Sequence, residues 1–298
     1  VETPDVSTQT NEPTSALPDG PRPGPEPLRP APRPRPFPLG LYQTAIGKKW
    51  VMALTGIGLL GFVVVHMIGN LHIYEGPIQM AEYAEALRDL GGHLIPRTLL
   101  LWVMRLGLLA MFALHIHSAY TLKEISRRSN TNANWIDGQQ RYEGGQDYIA
   151  TDFASRTMRW TGPIIGLYII FHLADLTWGL LPWTDYVRGD PYHNVTHSLG
   201  NWPVAILYIV ANVALAIHIF HGTWSLFQSL GINSPRYNGL RQGLAAGLAG
   251  VVLVGNLSFP IMVQAGLIDD DGCGPSCVET QVEEDGEAAD AMTSGEEA

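Results

Sequence analysis

Apolar residues run along this chain in long unbroken blocks, with neither strict alternation nor a narrow helical stripe. The blocks fall at residues 50–72, 98–121, 160–181, 203–228 and 241–267. Each holds about twenty residues or more, which at ~1.5 Å per residue spans a hydrocarbon layer of ~30 Å. Helices of water-soluble domains are usually shorter and polar on one face. These blocks are apolar nearly all round and carry internal glycine and aromatic residues, as membrane helices tolerate. The pattern predicts an all-α membrane protein, a bundle of five transmembrane helices.

The polar segments divide the rest of the chain. Residues 1–38 hold twelve of the 21 prolines and no apolar periodicity. They are expected to form a disordered, Pro-rich cytoplasmic arm, with a partner-docking arm as the alternative. No signal peptide is expected, since no charged segment leads into an apolar one at the start. Residues 39–268 form the transmembrane domain, and 269–298 an acidic tail on the outer side. Within the domain, the loop 73–97 has a helix-like stretch from Gln79 to Leu90, ended by Gly91-Gly92, expected to lie flat on the outer surface. The loop 122–158 is polar and long enough to contact a cytoplasmic partner.

Charge sharpens this division. The formal net charge is −10, of which the arm carries −1, the tail −11 and the domain +2. With no basic patch to neutralise several phosphates, nucleic-acid binding is excluded. Two cysteines in 298 residues exclude a secreted disulfide scaffold. Five spans would place fourteen Lys and Arg on one side and only Arg88, Arg97 and Arg188 on the other, with Arg105 inside the second span. By the positive-inside rule the N-terminus is cytoplasmic and the C-terminus outside. Trp50, Trp102, Trp160, Trp178, Trp183, Trp202 and Trp224 lie near span ends, where interfacial belts form.

The candidate chemistry lies in the histidines. His66, His115, His117, His172, His218 and His221 fall inside apolar blocks, and His72 at the edge of one. A polar side chain at membrane depth is unfavourable and marks a functional candidate. One such histidine is as well explained by a hydrogen bond between helices; a set spread over four helices is not. Counted from the inner end of each span, at Lys49, Arg159, Lys123 and Gln228, the rise per residue puts His66 at ~25 Å from the inner edge, His172 at ~20 Å, His115 at ~12 Å and His218 at ~15 Å. Two levels result, each with two histidines from different helices. That arrangement suits two haems b, each with two axial imidazoles, in a helical bundle. Gly58, Gly61, Gly69, Gly107, Gly162 and Gly166 would give a flat macrocycle room, or serve ordinary helix packing. Arg105, Ser155 and Arg159 are candidate donors to haem carboxylates. Spacing alone does not choose between His115 and His117, or between His218 and His221.

The segments around these residues resemble a known family. They are Gly47-Lys48-Lys49 leading to Val65-His66-Met67-Ile68-Gly69-Asn70-Leu71, Arg105-Leu106-Gly107 through Leu114-His115-Ile116, Ser155 through Gly162 with Phe171-His172-Leu173, and His218 through Gln228. Over residues 40–267 the chain is similar to the membrane-anchor cytochrome b subunit of succinate:quinone oxidoreductase (succinate dehydrogenase, complex II), in its five-helix dihaem form. The resemblance implies His66 and His172 as iron ligands of an outer haem, and His115 and His218 of an inner one. It favours His218 over His221, and its pairs agree with the depths. It implies a bacterial cytoplasmic membrane, a flavoprotein subunit that oxidises succinate, and an iron-sulfur subunit that passes electrons on. The chain's own part would be electron transfer and reduction of quinone, of the menaquinone type. A higher oligomer is left open. Tyr74, Glu75, Tyr83, Glu82, Glu85 and His72 lie near the outer level, where a quinone pocket would draw protons, and none is assigned.

Three other readings compete. A dihaem cytochrome b of the formate dehydrogenase or hydrogenase type also uses histidines on several helices, but the segment from His218 to Gln228 speaks against it. A cofactor-free anchor or transport protein would need no such set of histidines. Cys273 and Cys277 lie past the fifth span, where a disulfide is the first reading. They could instead join two histidines in a Rieske-type cluster replacing a haem; the complete four-histidine pattern argues otherwise.

Overall fold

The computed structural model describes residues 36–37, 39–132, 149–182, 185–232 and 234–269, with the side chains of 126–132 and 149–156 excepted. The predicted N-terminal arm and acidic tail, including Cys273 and Cys277, lie outside the described residues but for a few at their edges. The chain divides into the units Val1–Gly40 and Leu41–Ala298, and every long helix belongs to the second.

Among the described residues all regular structure is helical. A short turn, α1 (Leu39–Gln43), precedes α2 (Ala45–Asn70). Thr44 caps α2: its Oγ1 accepts from the Gly47 N–H at 2.9 Å and donates to the Leu41 carbonyl at 2.7 Å. A 3-10 turn over Leu71–Glu75 leads to α3 (Pro77–Arg88). Proline at the first position of α3 lacks only an N–H that would have had no partner there. The predicted helix at 79–90 is thus present, and Gly91 and Gly92 end the segment with φ of 104° and 53°, a backbone that glycine adopts freely.

The long helices follow. They are α4 (Leu99–Asn132), α5 (Ile149–Leu176), α7 (Trp202–Ser229) and α8 (Asn238–Gln264). Between α5 and α7 lies α6 (Pro191–Gly200), in a stretch expected to be loop. Its start has a local cause. The Asp190 carboxylate accepts from the His193 N–H at 3.0 Å, and Pro191 occupies the first helical position.

Four helical segments are long and apolar enough to cross a membrane: Ala45–Glu75, Leu99–Ile125, Trp202–Ser229 and Pro235–Gln264. They match the first, second, fourth and fifth predicted blocks and fit a multi-pass membrane protein. The third block is helical too, as α5, but is not among these four and ends at Leu176 rather than 181. Arg159, Pro163, His172 and Asp175 dilute its apolar run. The outer surfaces of the long helices carry exposed large apolar residues, and Trp50, Trp102, Trp160, Trp178 and Trp202 are among them. Such a surface is stable in lipid and not in water.

Helix α7 is the hub. It packs most extensively on α8, then on α5, and it also touches α2. Helix α4 packs chiefly on α2. At one end α3 and α6 close over the bundle, and Met67, Ile73, Met80, Leu199, Tyr208 and Phe259 are buried there. Close approach at that end depends on Gly69. A Cβ there would fall 2.8 Å and 2.9 Å from Cζ and Cε1 of the Tyr83 ring. At Gly247 a Cβ would meet nothing within 4 Å. Gly69→Ala is therefore expected to destabilise the solubilised protein by about 1–3 kcal/mol through overpacking, with Gly247→Ala neutral or stabilising. Thermal unfolding of both variants in one detergent checks the contrast.

Candidate functional site

Four of the long helices each bring one histidine against a histidine of another helix, in two pairs; His66 is exposed and the other three are half-buried. His66 on α2 faces His172 on α5, with ring centroids 6.0 Å apart and planes at 80°. His115 on α4 faces His218 on α7, with centroids 6.4 Å apart and planes at 65°. These are the pairs that helical rise gave from the sequence.

The separations have a chemical meaning. An imidazole nitrogen lies about 2 Å from a bound transition metal, and roughly 1.1 Å from its own ring centre. Two imidazoles on opposite sides of one haem iron therefore hold their centroids about 6.3 Å apart. Both pairs fit that spacing.

The second nitrogen of three of these rings is already engaged. His115 Nδ1 lies 3.2 Å from Thr55 Oγ1 and 3.2 Å from the Met52 carbonyl. His218 Nδ1 lies 3.3 Å from Thr161 Oγ1, and His172 Nδ1 lies 3.3 Å from the Tyr208 hydroxyl. Each threonine also donates to a carbonyl one turn back in its own helix, Val51 for Thr55 and Thr157 for Thr161. Their hydroxyl protons are thus used, which leaves the oxygens to accept from Nδ1–H. Holding Nδ1 in this way orients a ring and leaves Nε2 as the ligating nitrogen. His66 differs: Asn70 Nδ2 approaches its Nε2 at 3.5 Å, the outer limit of a hydrogen bond.

The glycines divide by what surrounds them. A Cβ on Gly61, Gly107, Gly162 or Gly166 would meet nothing within 4 Å. A Cβ on Gly58 would strike Met111, and one on Gly69 would strike Tyr83, so these two serve helix packing. Gly56, not singled out by the sequence pattern, lies against His115: a Cβ there would sit 3.4 Å from its Cε1. The donor set fits a haem at each level; the open space at these four glycines recurs at Gly239, Gly243, Gly247 and Gly250 and does not set them apart.

Within each ambiguous histidine pair the structure separates the members. His117 turns away from His218 and meets Tyr42, whose hydroxyl lies 2.5 Å from its Nδ1. His221 packs edge-on against Phe220. The remaining candidates are more peripheral. Arg105 is exposed, its guanidinium over the Trp102 ring at 5.3 Å from the centroid, and Arg159 is exposed. Ser155 belongs to α5, but its side chain lies outside those described. His72 Nδ1 contacts Glu75 Oε2 at 2.7 Å, and His193 stacks on His197. Glu85 pairs with Arg88 and Arg97, and Tyr74 donates to Ser258 Oγ at 2.6 Å.

A polar chain beside the His66–His172 level escaped the sequence pattern. Asp175 is fully buried and accepts at Oδ2 from Ser198 Oγ at 2.6 Å and from Tyr208 at 2.8 Å. One turn along α7, Asn212 donates to the Tyr208 carbonyl at 2.9 Å and accepts from Asn256 of α8 at 2.9 Å. The legible signal was an ionisable residue inside an apolar block, one turn after His172.

The Asn212–Asn256 bond joins α7 to α8. A double-mutant cycle with leucine at both positions is expected to give a coupling of about 0.6–1.7 kcal/mol. Equilibrium unfolding of the two single variants and the double variant measures it. No family model matches the chain, and neither a curated protein nor a solved structure is similar to it.

Proposed function

We propose that this chain is the membrane-anchor cytochrome b subunit of a succinate:quinone oxidoreductase, with α5 as the fifth transmembrane helix of a dihaem bundle. The observation that carries the reading is the two cross-helix histidine pairs, with centroids 6.0 Å and 6.4 Å apart. When bound, two haems b supply a one-electron relay between an iron-sulfur subunit and quinone.

The chain's residues have distinct tasks in this reading. His115 and His218 hold the inner site, with Thr55 and Thr161 fixing their rings. His66 and His172 hold the outer site, with Tyr208 fixing His172. Gly61, Gly107, Gly162 and Gly166 leave space for flat macrocycles. Arg105, Arg159 and Ser155 remain candidates for the haem carboxylates. The lipid-facing apolar surface excludes bulk water from both levels. The positive-inside count supports a cytoplasmic N-terminus and α4–α5 connection, and the membrane would be the bacterial cytoplasmic one. A flavoprotein and an iron-sulfur subunit would dock on that side, and quinone of the menaquinone type would be reduced near the outer level.

Purified protein is expected to contain two protohaems per chain by pyridine haemochrome assay, with a b-type α-band in the reduced-minus-oxidised spectrum. His66→Ala, His115→Ala, His172→Ala and His218→Ala should each lower the haem content; His117→Ala and His221→Ala should leave it at two. The paired rings stand at 80° and 65° to each other, and an iron held by rings so crossed would have two d orbitals close in energy. The oxidised form should therefore give strongly anisotropic low-spin ferric resonances. Absence of the α-band overturns the reading. Copurification with other partners than a flavoprotein and an iron-sulfur protein would assign the relay to a different dihaem oxidoreductase.

A further inference from the structure

Asp175 is an unexpected residue to find where it is. It is fully buried, it follows His172 by one helical turn, and its Oδ1 makes no hydrogen bond to the described residues. Leaving one buried acceptor unpaired disfavours the fold by about 1–3 kcal/mol. Through Oδ2 alone Asp175 ties its own helix, α5, to two others, since Ser198 is on α6 and Tyr208 on α7. Tying helices together would be served as well by a neutral amide, which could satisfy more partners. What the acid adds is a stronger acceptor for the Tyr208 hydroxyl.

Counting donors carries the argument to His172. A tyrosine hydroxyl has one hydrogen. Tyr208 donates it to Asp175 at 2.8 Å. The phenol oxygen also lies 3.3 Å from His172 Nδ1. With its hydrogen committed, that oxygen can only accept, so the hydrogen of the neutral imidazole sits on Nδ1 and the lone pair on Nε2. Tyr208 is itself held: it is 5% exposed and meets Tyr168 and Phe171 edge-to-face. Among the described residues no acid stands behind Thr55 or Thr161, whose protons go to backbone carbonyls.

We propose that Asp175 and Tyr208 are positioning residues for His172, an acid–phenol–imidazole chain that fixes the ring's tautomer and strengthens its Nε2 as a donor at the outer level only. The proposal rests on the reading of His172 as a haem ligand. A strong acceptor at Nδ1–H draws the proton away from the ring and leaves it with imidazolate character, which makes Nε2 more basic and would favour the ferric over the ferrous ion. The chain would thus hold the outer haem lower in potential than an imidazole resting on a neutral acceptor alone.

The test is a spectroscopic redox titration of the purified full-length protein, with the inner haem as internal reference. In Tyr208→Phe the ratio of reduced to oxidised outer haem, at a fixed ambient potential, should rise several-fold. Asp175→Asn should move it in the same direction by less, because the amide oxygen still accepts from Tyr208. Ser198→Ala removes the other donor to Asp175 and should leave the ratio unchanged, whatever it does to stability. The inner haem should not move in any of the three. Two haems present with the outer ratio unmoved in Tyr208→Phe overturns the proposal, as does an equal shift at both haems. A wild-type protein without haem overturns instead the functional reading on which it rests. If Tyr208→Phe fails to accumulate, Asp175→Asn carries the same comparison.

Discussion

Hydrocarbon offers no hydrogen bonds, and this constraint orders the molecule. Each polar group carried into an apolar helix must find a partner on another helix or on its own backbone. Thr55 and Thr161 satisfy their hydroxyl protons on carbonyls one turn back, and only then are their oxygens free to meet His115 and His218. Asn212 and Asn256 satisfy each other. Asp175 gathers donors from two neighbouring helices. The polar residues therefore fix which helices face each other, a task that undirected apolar contact in lipid performs poorly.

The same constraint made much of the fold readable in advance. Four apolar blocks coincide with the four helices that are long and apolar enough to cross a membrane, because length and hydropathy are physical requirements of the bilayer. Their ends were less legible. Helix α4 continues past the end of its predicted block and α5 begins well before its own, since helical propensity does not stop where apolarity does, while α5 ends at Leu176, short of 181. The helix α6 was read as loop. Its apolar content is too low for a span, and it is set by Asp190 and Pro191 at its start rather than by periodicity.

The histidine pairs were legible for a simple reason. A helix converts residue number into depth at a fixed rise, so side chains at equal depth on neighbouring helices can meet. His66 and His172 were assigned to one level, His115 and His218 to another, and the structure brings those rings together. Depth does not give azimuth. That is why His117 and His221 could not be set aside by counting, and why packing was needed to turn His117 toward Tyr42. Nor does depth find supporting residues: Thr55, Thr161 and Tyr208 are unremarkable in an apolar run until their contacts are seen.

The two levels differ in what stands behind the imidazoles, and the difference follows from local sequence. At the His115–His218 level the supporting groups are threonines, which pass their own protons to the helix backbone and can offer an imidazole only a neutral oxygen. At the His66–His172 level, α7 supplies a phenol instead. A phenol is too long to reach its own backbone and must send its proton to another side chain. Asp175, one turn beyond His172 on α5, is placed to take it. If both histidine pairs hold the same cofactor, as proposed, the protein can make the two sites chemically unequal without changing a single ligand. That inequality would come from residues that touch no iron.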